Sequence, residues 1–98
     1  VGRLLIYRVA SVMEEGRAPN WESAMSKAYC TEFEKRLAGV AMEILGPYGQ
    51  LKSGSKHVPL RGMALHSYLG SKGYSLQAGT TEILKNSLAL RRLGLPSS

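Results

Sequence analysis

Apolar residues recur along this chain at the three- and four-residue spacing that places them on one face of an α-helix. The spacing first appears over residues 2–15, at Leu4, Leu5, Val9, Val12 and Met13. Gly16 follows this segment, and glycine is a common helix stop because it adopts left-handed backbone angles without strain. The pattern therefore predicts a first helix over residues 2–15.

A second and longer helix is predicted from Trp21, with Asn20 as its N-cap. Its apolar stripe comprises Ala24, Ala28, Phe33, Leu37, Val40, Ala41 and Ile44. Gly46 and Pro47 together end the pattern, since proline cannot continue a helix. The segment corresponds to roughly seven helical turns.

The rest of the chain is predicted to contain a loop and two shorter helices. Residues 46–57 are rich in Gly, Ser and Lys, which is typical of a loop. Pro59 can occupy the first turn of a third helix that ends at Gly70 or Gly73. A fourth helix is predicted to begin after Thr80 or Thr81 and to end at residues 93–96, where glycine and proline follow its last apolar residues.

No segment alternates apolar and polar residues with the period of a strand, and no internal repeat is visible. The pattern therefore predicts an all-α fold, an antiparallel up-down bundle of about four helices. With 98 residues, the chain has room for one such domain.

Composition narrows the classes of function. The chain is 44% apolar and 20% charged, which is typical of a soluble globular domain, and it has no apolar run of membrane-spanning length. One cysteine, Cys30, excludes an internal disulfide and multi-cysteine metal sites, and favours the cytoplasm. The two histidines, His57 and His66, do not share a helix face, so we expect no metal site.

The net charge of +6 raises the question of a polyanionic partner, and charge alone does not choose between nucleic acid and a phosphate-bearing cofactor. The basic residues never form a run longer than two, so a nucleic-acid surface would have to be assembled by folding. A small basic helical module that binds nucleic acid or a partner helix is therefore one hypothesis. Binding to DNA that weakens steeply with salt would support it.

Residues 77–83 differ from this background, because small residues precede a threonine at a predicted helix start. The free amides at a helix N-terminus attract anions such as a pyrophosphate. The alternative is that Thr80 only caps its own helix. The spacing leaves both interpretations open.

Residues 76–96 read Leu-Gln-Ala-Gly-Thr-Thr-Glu-Ile-Leu-Lys-Asn-Ser-Leu-Ala-Leu-Arg-Arg-Leu-Gly-Leu-Pro. This segment resembles the C-terminal signature of acyl-CoA dehydrogenases, a Gly-Thr-Ser-Glu-Ile motif followed by a helix ending in Leu-Gly-Leu-Pro. Residues 3–8, 24–29 and 41–49 resemble three more segments of the same domain, in the same order. Residues 50–74 depart from the family pattern.

The resemblance implies that residues 1–98 are the C-terminal helical bundle of a larger flavoprotein, whose N-terminal helical and middle β domains are absent here. The family's first bundle helix, which contacts the flavin, would precede Val1. We therefore expect an isolated fragment to be inactive and to expose an apolar face that another copy can cover. Dimers or tetramers are what the resemblance implies.

The chemistry implied by the resemblance is FAD-dependent α,β-dehydrogenation of an acyl-CoA thioester in fatty acid metabolism. Electrons would pass to electron-transfer flavoprotein or another acceptor. Neither nucleic acid nor a membrane is an expected partner, since a basic nucleic-acid-binding module would explain none of the signature. In many members the base that removes the α-proton is a glutamate directly before the Gly-Thr of the signature; here that position is Ala78. Either the base lies on an earlier helix, or the chain belongs to a non-catalytic structural subunit or oligomerisation domain of the same fold.

The resemblance also implies which residues of this chain contact the cofactor, through the positions that match the family's FAD-contacting residues. Thr80 and Glu82, with the adjoining Gly79, match signature positions that contact FAD in relatives. Glu43 and Gly46 match a segment that contacts the adenosine part of FAD bound mainly by a neighbouring subunit. Relatives often have glutamine at the position of Glu43 and a second glycine at that of Pro47.

Overall fold

Helices account for most of the chain. The computed structural model describes residues 1–96, in which four α-helices are joined by turns and short 3-10 segments, with no strand in that range. The elements are α1 (Gly2–Glu14), α2 (Asn20–Leu45), the 3-10 segments Gly46–Gln50 and Pro59–Gly62, α3 (Met63–Tyr74) and α4 (Thr81–Arg91). The predicted all-α class and its four helices are confirmed.

The chain divides into two units, and α2 contributes to both. The first unit comprises Val1–Cys30 and residues 78–96, and therefore holds α1, the first part of α2 and α4. A methyl group added at Gly2 would lie 3.5 Å from Cys30 Sγ. The start of α1 therefore lies within contact distance of Cys30 in α2.

The end of α4 contacts the start of α2 within the same unit. The Arg92 guanidinium lies over the Trp21 ring, 4.9 Å from its centroid. Such a cation–π contact adds electrostatic attraction to the burial of the indole face. The contact joins the end of α4 to the start of α2, two segments of the unit that are far apart in the sequence.

The second unit comprises Thr31–Gln77. It holds the rest of α2, both 3-10 segments and α3, and the 3-10 segments contact each other and α3. Ser71 of α3 is buried, and its hydroxyl donates to the Tyr68 carbonyl at 2.8 Å. This bond satisfies a polar group that would otherwise be buried without a partner.

The buried apolar positions of both units are small. They are Val12, Ala24, Ala28, Ala38 and Ala64. Among residues 1–96 no leucine, isoleucine or phenylalanine is fully buried. Most of the large apolar side chains that formed the predicted helical stripes therefore retain contact with solvent.

The third helix begins later than the sequence pattern predicts. Pro59 does not open a helix: Leu60 and Arg61 have left-handed backbone angles, with φ of 51° and 56°. The helix starts at Met63, passes Gly70 and ends at Tyr74. The predicted start at Pro59 was therefore wrong, whereas the predicted end at Gly73 lies one residue before the observed end.

Candidate functional site

A tight turn leads into α4 at the position of the sequence signature. Ala78 and Gly79 have left-handed φ values of 55° and 108°. Thr80 then adopts an extended conformation, and its Oγ1 accepts a hydrogen bond from the Ile83 backbone N–H at 3.3 Å. Thr80 is thus the N-cap of α4, as the sequence predicted for Thr80 or Thr81.

Lys27 of α2 approaches the same turn. Its Nζ donates a hydrogen bond to the Gly79 carbonyl oxygen at 3.4 Å, and the lysine side chain is partly buried. Lys27 carries no signal in the sequence that would assign it a role. Nothing in a helical pattern links a residue in the second helix to a turn that lies 52 positions later.

A cavity of about 320 Å³ lies beside this contact. Its walls are Asn20, Ser23, Ala24, Lys27, Ala78, Gly79, Ile83, Leu84 and Ser87. Two serines, an asparagine and a lysine give this cavity hydrogen-bond donors, while none of its lining side chains is a carboxylate. The cavity can therefore donate hydrogen bonds to a ligand but offers no carboxylate base.

Some charges around the turn favour the binding of an anion there, and one opposes it. The Lys27 ammonium and the N-terminus of α4 both favour an anion. Glu82 is exposed in the first turn of α4, where its negative charge opposes that preference. Because a hydroxyl can accept and donate at once, the Thr80 cap bond leaves the hydroxyl proton available for a ligand.

Replacing Thr80 by alanine is expected to lower the free energy of unfolding by about 1 kcal/mol, because the Ile83 N–H loses its acceptor. Urea unfolding followed by circular dichroism measures the change. Thr80→Ser is the matched control, since serine keeps the oxygen and should retain most of the stability. Equal losses in both variants would contradict the capping role.

The second unit contains a larger cavity, of about 560 Å³. It is lined by Gly39, Met42, Glu43, Gly46, Gln50, Leu65, Tyr68 and Leu69. Gly46 has a left-handed φ of 54°, and a methyl group there would meet nothing within 4 Å. Apolar and aromatic walls with one carboxylate and no cation suit an uncharged planar group better than a phosphate.

The structure places the predicted contact residues at two sites, one in each unit. Gly79, Thr80 and Glu82 lie together at the start of α4, next to the exposed Ala78. Glu43 and Gly46 share the wall of the larger cavity, beside α3 side chains that the sequence assigned to a helix but to no site. A periodic pattern can predict that these residues form a helix, but not which cavity that helix lines.

Residues 1–96 hold neither a metal-binding cluster nor a membrane-spanning helix. No three side chains among His, Cys, Asp and Glu come together in a group able to hold a metal ion. None of the helices in this range combines the length and the apolar character needed to cross a bilayer.

Comparison with known proteins identifies the relatives of this chain. The family model for the acyl-CoA dehydrogenase C-terminal domain matches residues 1–93. Glutaryl-CoA dehydrogenase of Desulfococcus multivorans is 34% identical over 94 residues, which cover 95% of this chain and 22% of that protein. No solved structure matches the chain. The match along almost the whole chain, together with the four-helix all-α fold, shows that this chain belongs to the acyl-CoA dehydrogenase family, as a C-terminal domain.

Proposed function

We propose that this chain is the C-terminal helical domain of a FAD-dependent acyl-CoA dehydrogenase and contributes cofactor contacts and an oligomer interface. The observation that carries the proposal is the family match over residues 1–93, which includes most of the 76–96 signature. The rest of the enzyme would supply an N-terminal helical and a middle β domain. Residues 1–98 alone would be inactive.

The protein as a whole would oxidise an acyl-CoA thioester in cytoplasmic fatty acid metabolism. It would act as a homodimer or homotetramer and pass electrons to electron-transfer flavoprotein or another acceptor. The glutaryl-CoA dehydrogenase relative makes a short dicarboxylic thioester one substrate to test.

The residues present are compatible with FAD contacts at both sites. When bound, FAD would supply the hydride acceptor for the β-carbon of the thioester. Glu43 and Gly46, on the wall of the larger cavity, would contact the adenosine part of a cofactor held mainly by a neighbouring copy. The apolar walls of that cavity and the absence of a cation among its lining residues support an aromatic base there rather than a phosphate.

At the start of α4, the proposed contacts are made by Gly79, Thr80 and Glu82. The Thr80 hydroxyl can donate to an acceptor on the cofactor while it caps the helix. The hydrogen bond from Lys27 to the Gly79 carbonyl connects the turn to α2 and places a positive charge beside it. Thr80 is the residue that we expect to matter most.

Removal of the α-proton requires a base, and this chain supplies none at the usual position. Ala78 cannot accept a proton, and no carboxylate lines the cavity beside it. Glu82 lies in the first turn of α4, four positions after Ala78. We therefore place the base on an earlier helix of the full-length enzyme. The alternative is a non-catalytic structural subunit of the same fold.

An anaerobic absorbance titration of the full-length protein tests this proposal. Acyl-CoA thioesters of several chain lengths, glutaryl-CoA among them, would be added while the oxidised-flavin band is followed. We expect at least one thioester to bleach the band in the wild-type protein, because the base lies outside this chain. A preparation that binds no flavin would overturn the proposal.

Two substitutions at Ala78 separate the alternatives. In a non-catalytic subunit, Ala78→Glu would introduce bleaching that is absent from the wild type. Ala78→Gln, with the same size but no basic oxygen, would not. If the wild type already bleaches, Ala78→Glu should give no gain over Ala78→Gln.

A further inference from the structure

Two glycines leave part of the wall of the larger cavity without side chains. Gly39 lies within α2 and Gly46 directly follows that helix, and both line the cavity. Their separation of seven residues is close to two helical turns, so the two positions share one face of the helix. A methyl group added at either would meet nothing within 4 Å. All the lining residues belong to the second unit, so this open wall does not depend on the first unit.

Gly39 stands in the interior of α2, where glycine is less favourable than alanine because it loses more backbone freedom on folding. Its φ is not left-handed, in contrast to that of Gly46. Within the described residues, neither backbone conformation nor close packing therefore requires glycine at this position. A bare helix face does allow a flat ligand to contact the backbone, which is a common use of glycine.

Tyr68 of α3 provides the aromatic part of the cavity wall. The Lys72 ammonium lies over the Tyr68 ring, 4.7 Å from its centroid. Lys72 does not line the cavity, so it covers a part of the ring that does not face the cavity. This cation–π contact restrains the ring. The ring is therefore a pre-oriented surface on which a planar base can stack.

Glu43 is the lining residue with the narrowest choice of hydrogen-bond partners. Its carboxylate is the only charged group among the described lining residues, and a carboxylate can only accept hydrogen bonds. The Gln50 amide and the Tyr68 hydroxyl can each donate and accept. Glu43 alone therefore requires a ligand that donates. The amino group at position 6 of adenine is such a donor, whereas hypoxanthine has a carbonyl oxygen there, which a carboxylate repels.

We propose that the larger cavity selects the adenine base of the cofactor, which stacks on Tyr68, lies against the bare helix face at Gly39 and donates its 6-amino group to Glu43. The inference rests on the proposed function for the identity of the cofactor as FAD. Beyond that function, it assigns a stacking residue to α3 and a base-selecting residue to α2. The cavity volume of about 560 Å³ lies within the usual range for small-molecule sites.

Two cofactors that differ at one position test the selection by Glu43. Full-length protein freed of its flavin is titrated with FAD and with deamino-FAD, in which an oxygen replaces the 6-amino group, and flavin fluorescence gives each dissociation constant. We expect FAD to bind at least about tenfold more tightly, because deamino-FAD sets a carbonyl oxygen against the carboxylate. Glu43→Gln should reduce this ratio to within about twofold, since an amide can rotate to donate. Glu34→Gln, the same change on α2 outside the cavity wall, should leave the ratio unaltered.

Substitutions of Tyr68 test the stacking contact. Tyr68→Leu should raise the dissociation constants of FAD and deamino-FAD about tenfold each, because both bases lose the aromatic surface. Tyr68→Phe keeps the ring and should bind within about twofold of the wild type. Tyr74→Leu makes the first change again, on α3 but outside the cavity wall, and should have little effect. FMN, which lacks the adenosine part, should bind equally well to all these variants.

Gly39→Ala separates a ligand contact from a purely structural role. Alanine should raise the melting temperature, because it is the better helix former and its methyl group meets no other residue. The same methyl group should raise the dissociation constant of FAD about fivefold, because it occupies space that the base would fill. A lower melting temperature with unchanged FAD binding would show that Gly39 serves the fold, and would overturn its contact with the base.

Failure of the base selection and failure of the proposed function give different results. Equal binding of FAD and deamino-FAD by the wild type, or FAD binding that Tyr68→Leu leaves unchanged, would overturn the inference and leave the proposed function standing. A protein that binds no flavin would overturn the proposed function. Calorimetry with ADP and with IDP, its hypoxanthine counterpart, then decides the inference alone. ADP binding that exceeds IDP binding and is weakened by Tyr68→Leu would support it, and any other result would overturn it.

Discussion

Replacing Gly62 by alanine is expected to lower the free energy of unfolding by about 3 kcal/mol, through two separate costs. Gly62 has a φ of 80°, a left-handed conformation that disfavours a β-carbon. A methyl group there would also lie 2.7 Å from the Ser53 backbone nitrogen. Because backbone atoms cannot move aside as a flexible side chain can, the loop around Ser53 would have to shift. Urea unfolding monitored at 222 nm measures the loss.

Gly54→Ala separates the conformational cost from the steric cost. Gly54 also has a left-handed φ, of 92°, but a methyl group there would meet nothing within 4 Å. We therefore expect a loss of only about 1 kcal/mol. If both substitutions cost the same, the close approach of Gly62 to Ser53 would add nothing to the cost of Gly62→Ala.

Introducing a carboxylate at Val12 is expected to destabilise the first unit by about 4 kcal/mol. Val12 is 1% exposed, and it is the largest of the fully buried apolar side chains. An aspartate there would be buried without a partner or would have to be neutralised by a proton, and each outcome costs free energy. Fluorescence of the single tryptophan, Trp21, reports unfolding of this unit because that residue lies within it.

Met13→Asp is the control for this second variant. Met13 follows Val12 on α1 and is 61% exposed. The same charge at that position remains hydrated, so we expect a loss of no more than about 0.5 kcal/mol. A similar loss in both variants would show that the effect comes from the added charge on α1 rather than from burial.

Local signals were sufficient to predict three of the helices. The predicted first helix, residues 2–15, differs by one residue from α1. The second was predicted from Trp21 and begins at Asn20, and it ends directly before Gly46, as predicted. The Thr80 cap was predicted correctly because its cause lies within one turn, between Oγ1 and the Ile83 N–H.

The third helix shows where local signals fail. Proline is compatible with a first helical turn, and Pro59 was predicted to open one. Instead Leu60 and Arg61 take left-handed angles that cost free energy in isolation. The neighbouring Gly62 is in close contact with Ser53, and such a contact between distant loops has no signature in a helical pattern.

The candidate site combines both kinds of information. The signature around Gly79, Thr80 and Glu82 was visible in the sequence because its residues are contiguous. The role of Lys27 at the Gly79 carbonyl was not, since the two residues are brought together by tertiary packing. The α3 residues Leu65, Tyr68 and Leu69 were likewise not assigned to the cavity that contains Glu43 and Gly46.

Family membership, helical class and the cap of α4 follow from the sequence, because spacing, capping and a contiguous motif depend on residues close together in the chain. Tertiary structure decided which turn begins α3, which lysine meets the signature and which apolar residues remain exposed. The exposed apolar face of α2, at Phe33, Leu37, Val40 and Ile44, illustrates the difference. Its periodicity predicts a helix with an apolar face, but a face is buried only where a partner surface exists, and this depends on contacts between segments that are distant in the sequence.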